Sequence, residues 1–385
     1  MTALPVWAHE LMLAPVVLAL VVVHACRALG AARALLEATA LVLYGYALEW
    51  IAIGVFRAHE YGDVWRLAPG GVPVAVAAVW SAVILATLTL AARRGLATAG
   101  RRAAAAALVA LSLDLLMEPV AVRLGLWRWT PPGAWLGIPV GNFVGWAVIV
   151  AAWGLGAERQ AFEASLVRVA ARRAGLAVAS IAALLLVGSA WRTAGLERAA
   201  GPATGWMVAG GVWLLALVLT VRRRPARAWP DTLGGRLGGT PGLAPEVAML
   251  VLVLAFAMDA VAIGEGALRV VAAMAAGVIG CVSVASGRFA LSDVWRARAL
   301  RRFAGAPGVV RVLMKPPNGE PWTDVDRGLL RRELRALARW TPGFVLFLLP
   351  GGLVLLIVYA HLLDRRRLKR PADRAPGETT ETPRR

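Results

Sequence analysis

The sequence predicts an all-α, polytopic membrane protein of about nine to ten transmembrane helices with its N-terminus outside. Three observations carry this. Of 385 residues, 59% are hydrophobic and only 17% are charged, giving a mean hydropathy of +0.66. The apolar residues fall in long runs near the ~20 residues that a bilayer requires, without strand or surface-helix alternation. Arginines gather at the ends of those runs. Backbone groups in lipid must be paired within a helix or a closed barrel, and unbroken runs mean helices.

Taken in order, the arginine borders delimit the spans. Leu11–Cys26 ends at Arg27, and Leu35–Phe56 begins after Arg33 and stops before the mixed loop of Arg57, Glu60, Asp63 and Arg66. Pro73–Ala92 ends at Arg93 and Arg94, and Ala103–Val122 begins after Arg101 and Arg102. Pro139–Leu155, opened by Pro139 and Asn142, ends before Arg159, while Ala174–Ala190 follows Arg168, Arg172 and Arg173. Trp206–Val221 ends at Arg222, Arg223, Arg224 and Arg227, and Glu265 alone separates Val247–Ile263 from Leu268–Ser286. Basic loops alternate with loops of mixed or sparse charge, so the basic set is assigned to the cytoplasm.

These spans define an expected bundle over 1–287. Residues 288–341 read as a cytoplasmic basic segment. Thr323 and Asp326 form a capping-box-like start there, before a helix carrying Leu329, Leu330, Leu334 and Leu337 against Arg327, Arg331, Arg332 and Arg335. Residues 342–363 are apolar but broken by Pro350-Gly351-Gly352, so they read as a transmembrane or a re-entrant segment. Residues 364–385 are Pro, Thr and charge and read as a disordered tail.

The net charge of +19 and pI near 11.5 do not indicate nucleic acid, because the arginines border apolar spans as they do beside anionic lipid. Cys26 and Cys281 form no disulfide framework or ligand spacing, and His9, His24, His59 and His361 form no metal motif. No cofactor motif appears, and the start lacks the basic region of a cleaved signal peptide.

The informative residues are acids within spans. An acid at a helix centre costs about 2.5–3.5 kcal/mol on insertion scales. Asp114 and Glu118 are four apart and share a helix face. Glu49 lies sixteen residues beyond Arg33, and Glu118 sixteen beyond Arg102. At about 1.5 Å per residue both carboxyls lie ~24 Å from the basic border, with Asp114 one turn deeper. Trp80 and Asn142 enter from the other side and reach the same layer, and Tyr46 shares a face with Glu49. Single acids such as Glu10 and Asp259 read as hydrogen-bonding a neighbouring helix. The loop tryptophans Trp127, Trp129 and Trp135 read at least in part as interfacial anchors.

Motifs narrow the function. Asp114…Glu118-Pro119, then Gly125-x-Trp127-x-Trp129, then Gly133-x-Trp135-x-Gly137-Ile138-Pro139-x-x-Asn142-Phe143-x-Gly145-Trp146 resembles a signature of bacterial and archaeal carotenoid 1,2-hydratases. A second block, Glu49, Gly54-Val55, Tyr61-Gly62, Gly71-Val72-Pro73 and Trp80, is similar to the same family's pattern. The likeness is strongest over residues 35–155. This chain departs at Glu118-Pro119, where the family usually shows Asp-Pro, and at Phe56-Arg57, where it usually shows Thr-Gly. Val64-Trp65 stands where the family has further aromatics.

The resemblance implies acid-catalysed addition of water to the 1,2 double bond of an acyclic (ψ) carotenoid end, in the bacterial cytoplasmic membrane and without a cofactor. Asp114 or Glu118 would be the acid, Glu49 the base or water holder, and Asn142 the residue orienting water. Trp80 or Trp146 would line the cation, with Tyr46, Trp127, Trp129 and Trp135 contacting substrate. The expected partners are a lipophilic carotenoid or isoprenoid, the membrane, and other carotenoid-pathway enzymes. Competing expectations are a proton-coupled transporter, for which inverted repeats and paired broken helices are missing, a non-catalytic scaffold, and a homologue binding another isoprenoid.

Overall fold

The structure, a computed structural model, describes residues 2–163, 165–221, 231–240, 242–286, 315 and 323–328. The chain divides into two units, Met1–Ala297 and Arg298–Arg385.

The first unit is a helical bundle. Its elements are α1 (Val6–Ala8), a single π turn (His9–Leu13), α2 (Ala14–Leu29), α3 (Ala31–Gly54), β1 (His59–Tyr61), α4 (Val74–Arg93) and α5 (Ala99–Arg123). There follow β2 (Trp127–Trp129), α6 (Val140–Arg159), α7 (Leu166–Thr193), α8 (Leu196–Ala199), α9 (Pro202–Val221), α10 (Leu233–Gly239), α11 (Ala244–Ile263) and α12 (Gly266–Ser286). Among the described residues, eight helices are long and apolar enough to cross a membrane, the first running from Val6 through the π turn to Leu29. The protein is thus an all-α, multi-pass membrane protein. Of the nine spans expected over 1–287, eight appear as such helices, and Trp206–Val221 falls within α9, which is apolar over Pro202–Val218.

The arrangement is concentric. In α4 and α5, 83% and 89% of the apolar window is buried, against 6% in α7. So α4 and α5 form the centre, and the other helices pack around them with α7 outermost. Close helix contact in lipid relies on small residues. Gly45 of α3 shows why: a Cβ there would lie 2.7 Å from Trp80 Cβ on α4. Pro119, inside α5, removes one rung of the backbone ladder just after Glu118.

Several of the arginines that border the spans are buried or half-buried in ion pairs, because acids sit at their level. Glu37 of α3 accepts from Arg33 Nε at 2.8 Å and from Arg173 Nε of α7 at 2.7 Å. Arg102 of α5 pairs with Glu158 of α6 at 2.8 Å, and Arg93 of α4 pairs with Glu246 of α11. Glycine-rich α10 was not foreseen as a helix. It buries Leu233 and Leu237 and takes a hydrogen bond from His24 Nε2 on the Leu237 carbonyl at 3.0 Å. Glu10 and Asp259 both serve local structure. Glu10 accepts the Arg66 and Leu67 backbone N–H groups. Asp259 accepts the Leu4 N–H at 2.7 Å and lies 3.0 Å from His9 Nε2.

In the second unit the described residues carry the Thr323–Asp326 capping box. The Thr323 N–H donates to Asp326 Oδ2 at 2.9 Å, and the Asp326 N–H donates back to Thr323 Oγ1 at 3.3 Å. Hydrogen bonds from Lys315 and Thr323 hold the Asp326 carboxyl down to about 2. The segments 329–341, 342–363 and 364–385, and with them the expected amphipathic helix, the broken apolar segment and the tail, lie outside the described residues.

Candidate active site

The site is organised by a two-stranded antiparallel sheet outside the helices. β1 and β2 pair His59 with Trp129, Glu60 with Arg128, and Tyr61 with Trp127. Side chains alternate across a sheet. His59, Tyr61, Trp127 and Trp129 therefore share one face and meet as rings, with His59 5.1 Å from Tyr61 and 4.9 Å from Trp129. Glu60 and Arg128 take the other face as an exposed ion pair. The approach is tight: a Cβ on Gly62 would lie 2.2 Å from the Gly125 carbonyl oxygen, so the turn after β1 is closed against the turn before β2.

The sheet's inner face covers two carboxyls. On α3, Glu49 Oε1 accepts Trp80 Nε1–H at 2.7 Å, and Oε2 accepts the Tyr61 hydroxyl at 2.8 Å. His59 Nε2 lies 3.2 Å from the same Oε2. On α5, Glu118 Oε2 accepts Nε1–H from both Trp127 (2.9 Å) and Trp129 (3.0 Å). Among the described residues Oε1 of Glu118 accepts no hydrogen bond. The indoles of Trp80 and Trp146 stack at 3.9 Å. All of these line one cavity of about 690 Å³ whose wall runs from Leu184 and Trp191 on α7 to Leu252 and Phe256 on α11.

The remaining sequence candidates divide. Asn142 lines the cavity, and its Nδ2 lies 3.4 Å from Asp114 Oδ2. Asp114 is fully buried behind it, outside the cavity wall, with Oδ1 unpartnered among the described residues. Tyr46 turns away and donates its hydroxyl to the Pro69 carbonyl at 2.7 Å. Trp135 packs into the bundle against Phe143 and Trp206 rather than on the cavity. Trp127 and Trp129 act as carboxylate donors as well as cavity wall.

Two residues at the centre escape sequence reasoning by type. By residue type His59 points only to metal binding, and Tyr61 only to a place in the motif. The available signal was His59-x-Tyr61 against Trp127-x-Trp129, two alternating aromatic triplets in loops of the same side. The Phe56-Arg57 departure also has a structural counterpart. Arg57 adopts φ 50°, a conformation costing a non-glycine residue roughly 1–2 kcal/mol, and Phe56 sits under the Arg192 guanidinium at 4.9 Å on the cavity wall. Among the described residues no group of three or more acids, histidines or cysteines is placed to hold a metal.

His59 and Tyr61 titrate away from their ordinary ranges. Burial pushes the His59 imidazole down, but the hydrogen bond and charge of Glu49, with the charge of Glu118, outweigh it and leave its pKa raised. Burial, then the charge and hydrogen bond of Glu49, hold the Tyr61 phenol well above the usual range. A histidine whose folded pKa exceeds its unfolded value stabilises below the unfolded pKa of about 6.5, and that contribution is lost as pH rises through the folded pKa. Thermal stability of the detergent-solubilised protein is therefore expected to decline above about pH 6.5, and His59→Gln is expected to flatten the decline. An equal slope in the variant would assign it to another group.

A family model described as carotenoid biosynthesis protein matches residues 9–201. No curated protein and no solved structure gives a match. The matched stretch is just over half of the chain, runs from the π turn at His9 to the residue before α9, and contains Glu49, His59, Tyr61, Trp80, Asp114, Glu118, the sheet tryptophans, Asn142 and Trp146. By that match the chain belongs to the carotenoid biosynthesis protein family.

Proposed function

We propose that, within carotenoid biosynthesis, the protein adds water across the 1,2 double bond of an acyclic ψ-end of a carotenoid inside the membrane. The observation that carries this reading is the placement of two carboxyls from different helices on one largely apolar cavity, each held by indole N–H groups. An unactivated trisubstituted alkene needs a strong acid, then stabilisation of a tertiary cation, then water delivered to one carbon.

In this reading the Glu118 carboxylic acid gives its proton to C2. The alkene π pair forms the new C–H bond and leaves the cation at C1. Glu118 is favoured over Asp114 because its carboxyl faces the cavity and, among the described residues, only its Oε2 accepts hydrogen bonds. The stacked Trp80 and Trp146 present π density to the cation, an attraction of roughly 0.5–2 kcal/mol for each ring. Water, oriented by Asn142, forms the C–O bond at C1, and its proton leaves towards the Glu49 cluster. The protein's proton inventory is restored when that proton returns to Glu118. Asp114 supports Asn142 from behind.

The test is expression in a lycopene-producing bacterium followed by mass analysis of the pigments. The expected result is a gain of one water per ψ-end. Unchanged pigments, with the protein present in the membrane, would sink the hydration reading.

A further inference from the structure

We infer that His59, not Glu49, is the group that takes the proton from the attacking water, and that Glu49 is a positioning residue acting through it. This rests on the hydration reading above. Both oxygens of Glu49 are already engaged: Oε1 by the Trp80 indole, Oε2 by the Tyr61 hydroxyl and by His59. A carboxylate carrying three donors has little lone-pair access left for a water. What it does offer is a fixed acceptor for one imidazole nitrogen, which sets the tautomer of the ring and leaves the other nitrogen as a base.

His59 has the matching features. Its Nε2 faces Glu49 at 3.2 Å, while its Nδ1 is buried and has no hydrogen-bond partner among the described residues. A buried ring nitrogen without a partner is costly unless a bound molecule supplies one. The residue lines the cavity and is itself only 6% exposed. Its ring is fixed between Tyr61 and Trp129, and through Trp129 it is tied to Glu118. The titratable groups facing it are Glu49 from α3, Glu118 from α5 and Tyr61 from its own strand, with the Glu60–Arg128 pair on the opposite face of the sheet.

The proton then moves in a closed cycle. Glu118 protonates C2, and the water oxygen bonds to C1. The resulting oxonium gives its proton to His59 Nδ1, forming an imidazolium beside the Glu49 carboxylate. The imidazolium returns that proton to the Glu118 carboxylate. One water is added and nothing is oxidised or reduced.

The test uses membranes containing the full chain and lycopene, with the hydrated product counted by mass. Wild type is compared with His59→Gln, with His59→Ala in the presence and absence of imidazole, and with both measured across the pH range in which histidine titrates. The expected result is a fall of about 100-fold in both variants, recovery of His59→Ala by imidazole, and loss of the wild type's acid-side decline from the residual activity of His59→Gln. Wild-type turnover in His59→Gln overturns the inference. So does a loss that imidazole does not relieve and that leaves the pH profile unchanged, which would make His59 structural. If His59→Gln does not accumulate in the membrane, His59→Asn is read in its place. Absence of hydrated product from wild type removes the hydration reading itself, which is a separate outcome from failure at His59.

Discussion

Glu118→Gln is expected to cut formation of the hydrated carotenoid by about 10²–10⁴-fold, the range that a positioned general acid supplies, while the protein remains in the membrane at wild-type level. The amide keeps the size of the side chain and one oxygen to accept the Trp127 and Trp129 N–H groups, which now meet at Glu118 Oε2. The indoles and the sheet that carries them therefore keep their anchor. What the amide lacks is a proton acidic enough for an alkene. Asp114→Asn is the informative contrast. Asp114 is buried one turn away and, among the described residues, meets the cavity through Asn142, at 3.4 Å, so its amide is expected to retain activity to within a few-fold. Quantifying hydrated and unhydrated pigment for the two variants decides the assignment. A dead Asp114→Asn beside an active Glu118→Gln would exchange the roles of the two acids.

Depth in the membrane is written in the sequence, whereas helix rotation is not. Glu49 and Glu118 can be set at one depth from the arginine borders because helical rise is fixed at about 1.5 Å per residue. Rotation about the helix axis is not fixed in the same way. Asp114 shares a face with Glu118 by spacing alone, yet only Glu118 lines the cavity, while Asp114 packs against α6 behind Asn142. Tyr46 shares a face with Glu49 by the same rule, and its hydroxyl finds the Pro69 carbonyl instead. The sheet was still harder to foresee. Three-residue strands give period-two alternation too little length to register, and His59 pairs with Trp129 across the whole of α4 and α5. The residues that complete the site thus depend on a long-range pairing that no local pattern encodes. The ion network is hidden in the same way, since a sequence shows that Arg33 and Arg173 are basic but not that Glu37 lies between them.

That buried trio carries the largest expected effect on stability. Glu37 is wholly buried and accepts from Arg33 and Arg173, with Arg173 donating through both Nε (2.7 Å) and a terminal nitrogen (3.0 Å). Arg33 also donates to the Glu163 carbonyl at 2.6 Å, and Arg173 to Gln160 at 2.9 Å. Glu37→Leu removes the carboxylate shared by these two arginines and leaves two buried guanidinium charges whose other hydrogen-bond acceptors among the described residues are neutral. Breaking a buried pair from one side costs about 3–5 kcal/mol, because the remaining charge is uncompensated. The midpoint of thermal unfolding in detergent is expected to fall by roughly 10 °C. The origin of the loss can be separated from the attraction within the trio. Replacing all three residues together, Arg33→Met, Glu37→Leu and Arg173→Met, strands no charge, and apolar replacement of a whole buried network is often neutral or stabilising. The triple variant is therefore expected to recover most of what Glu37→Leu loses. If it unfolds as early as the single variant, then the ion network itself, through its ties from α3 to α7 and to the segment at Gln160 and Glu163, holds the outermost long helix on the bundle.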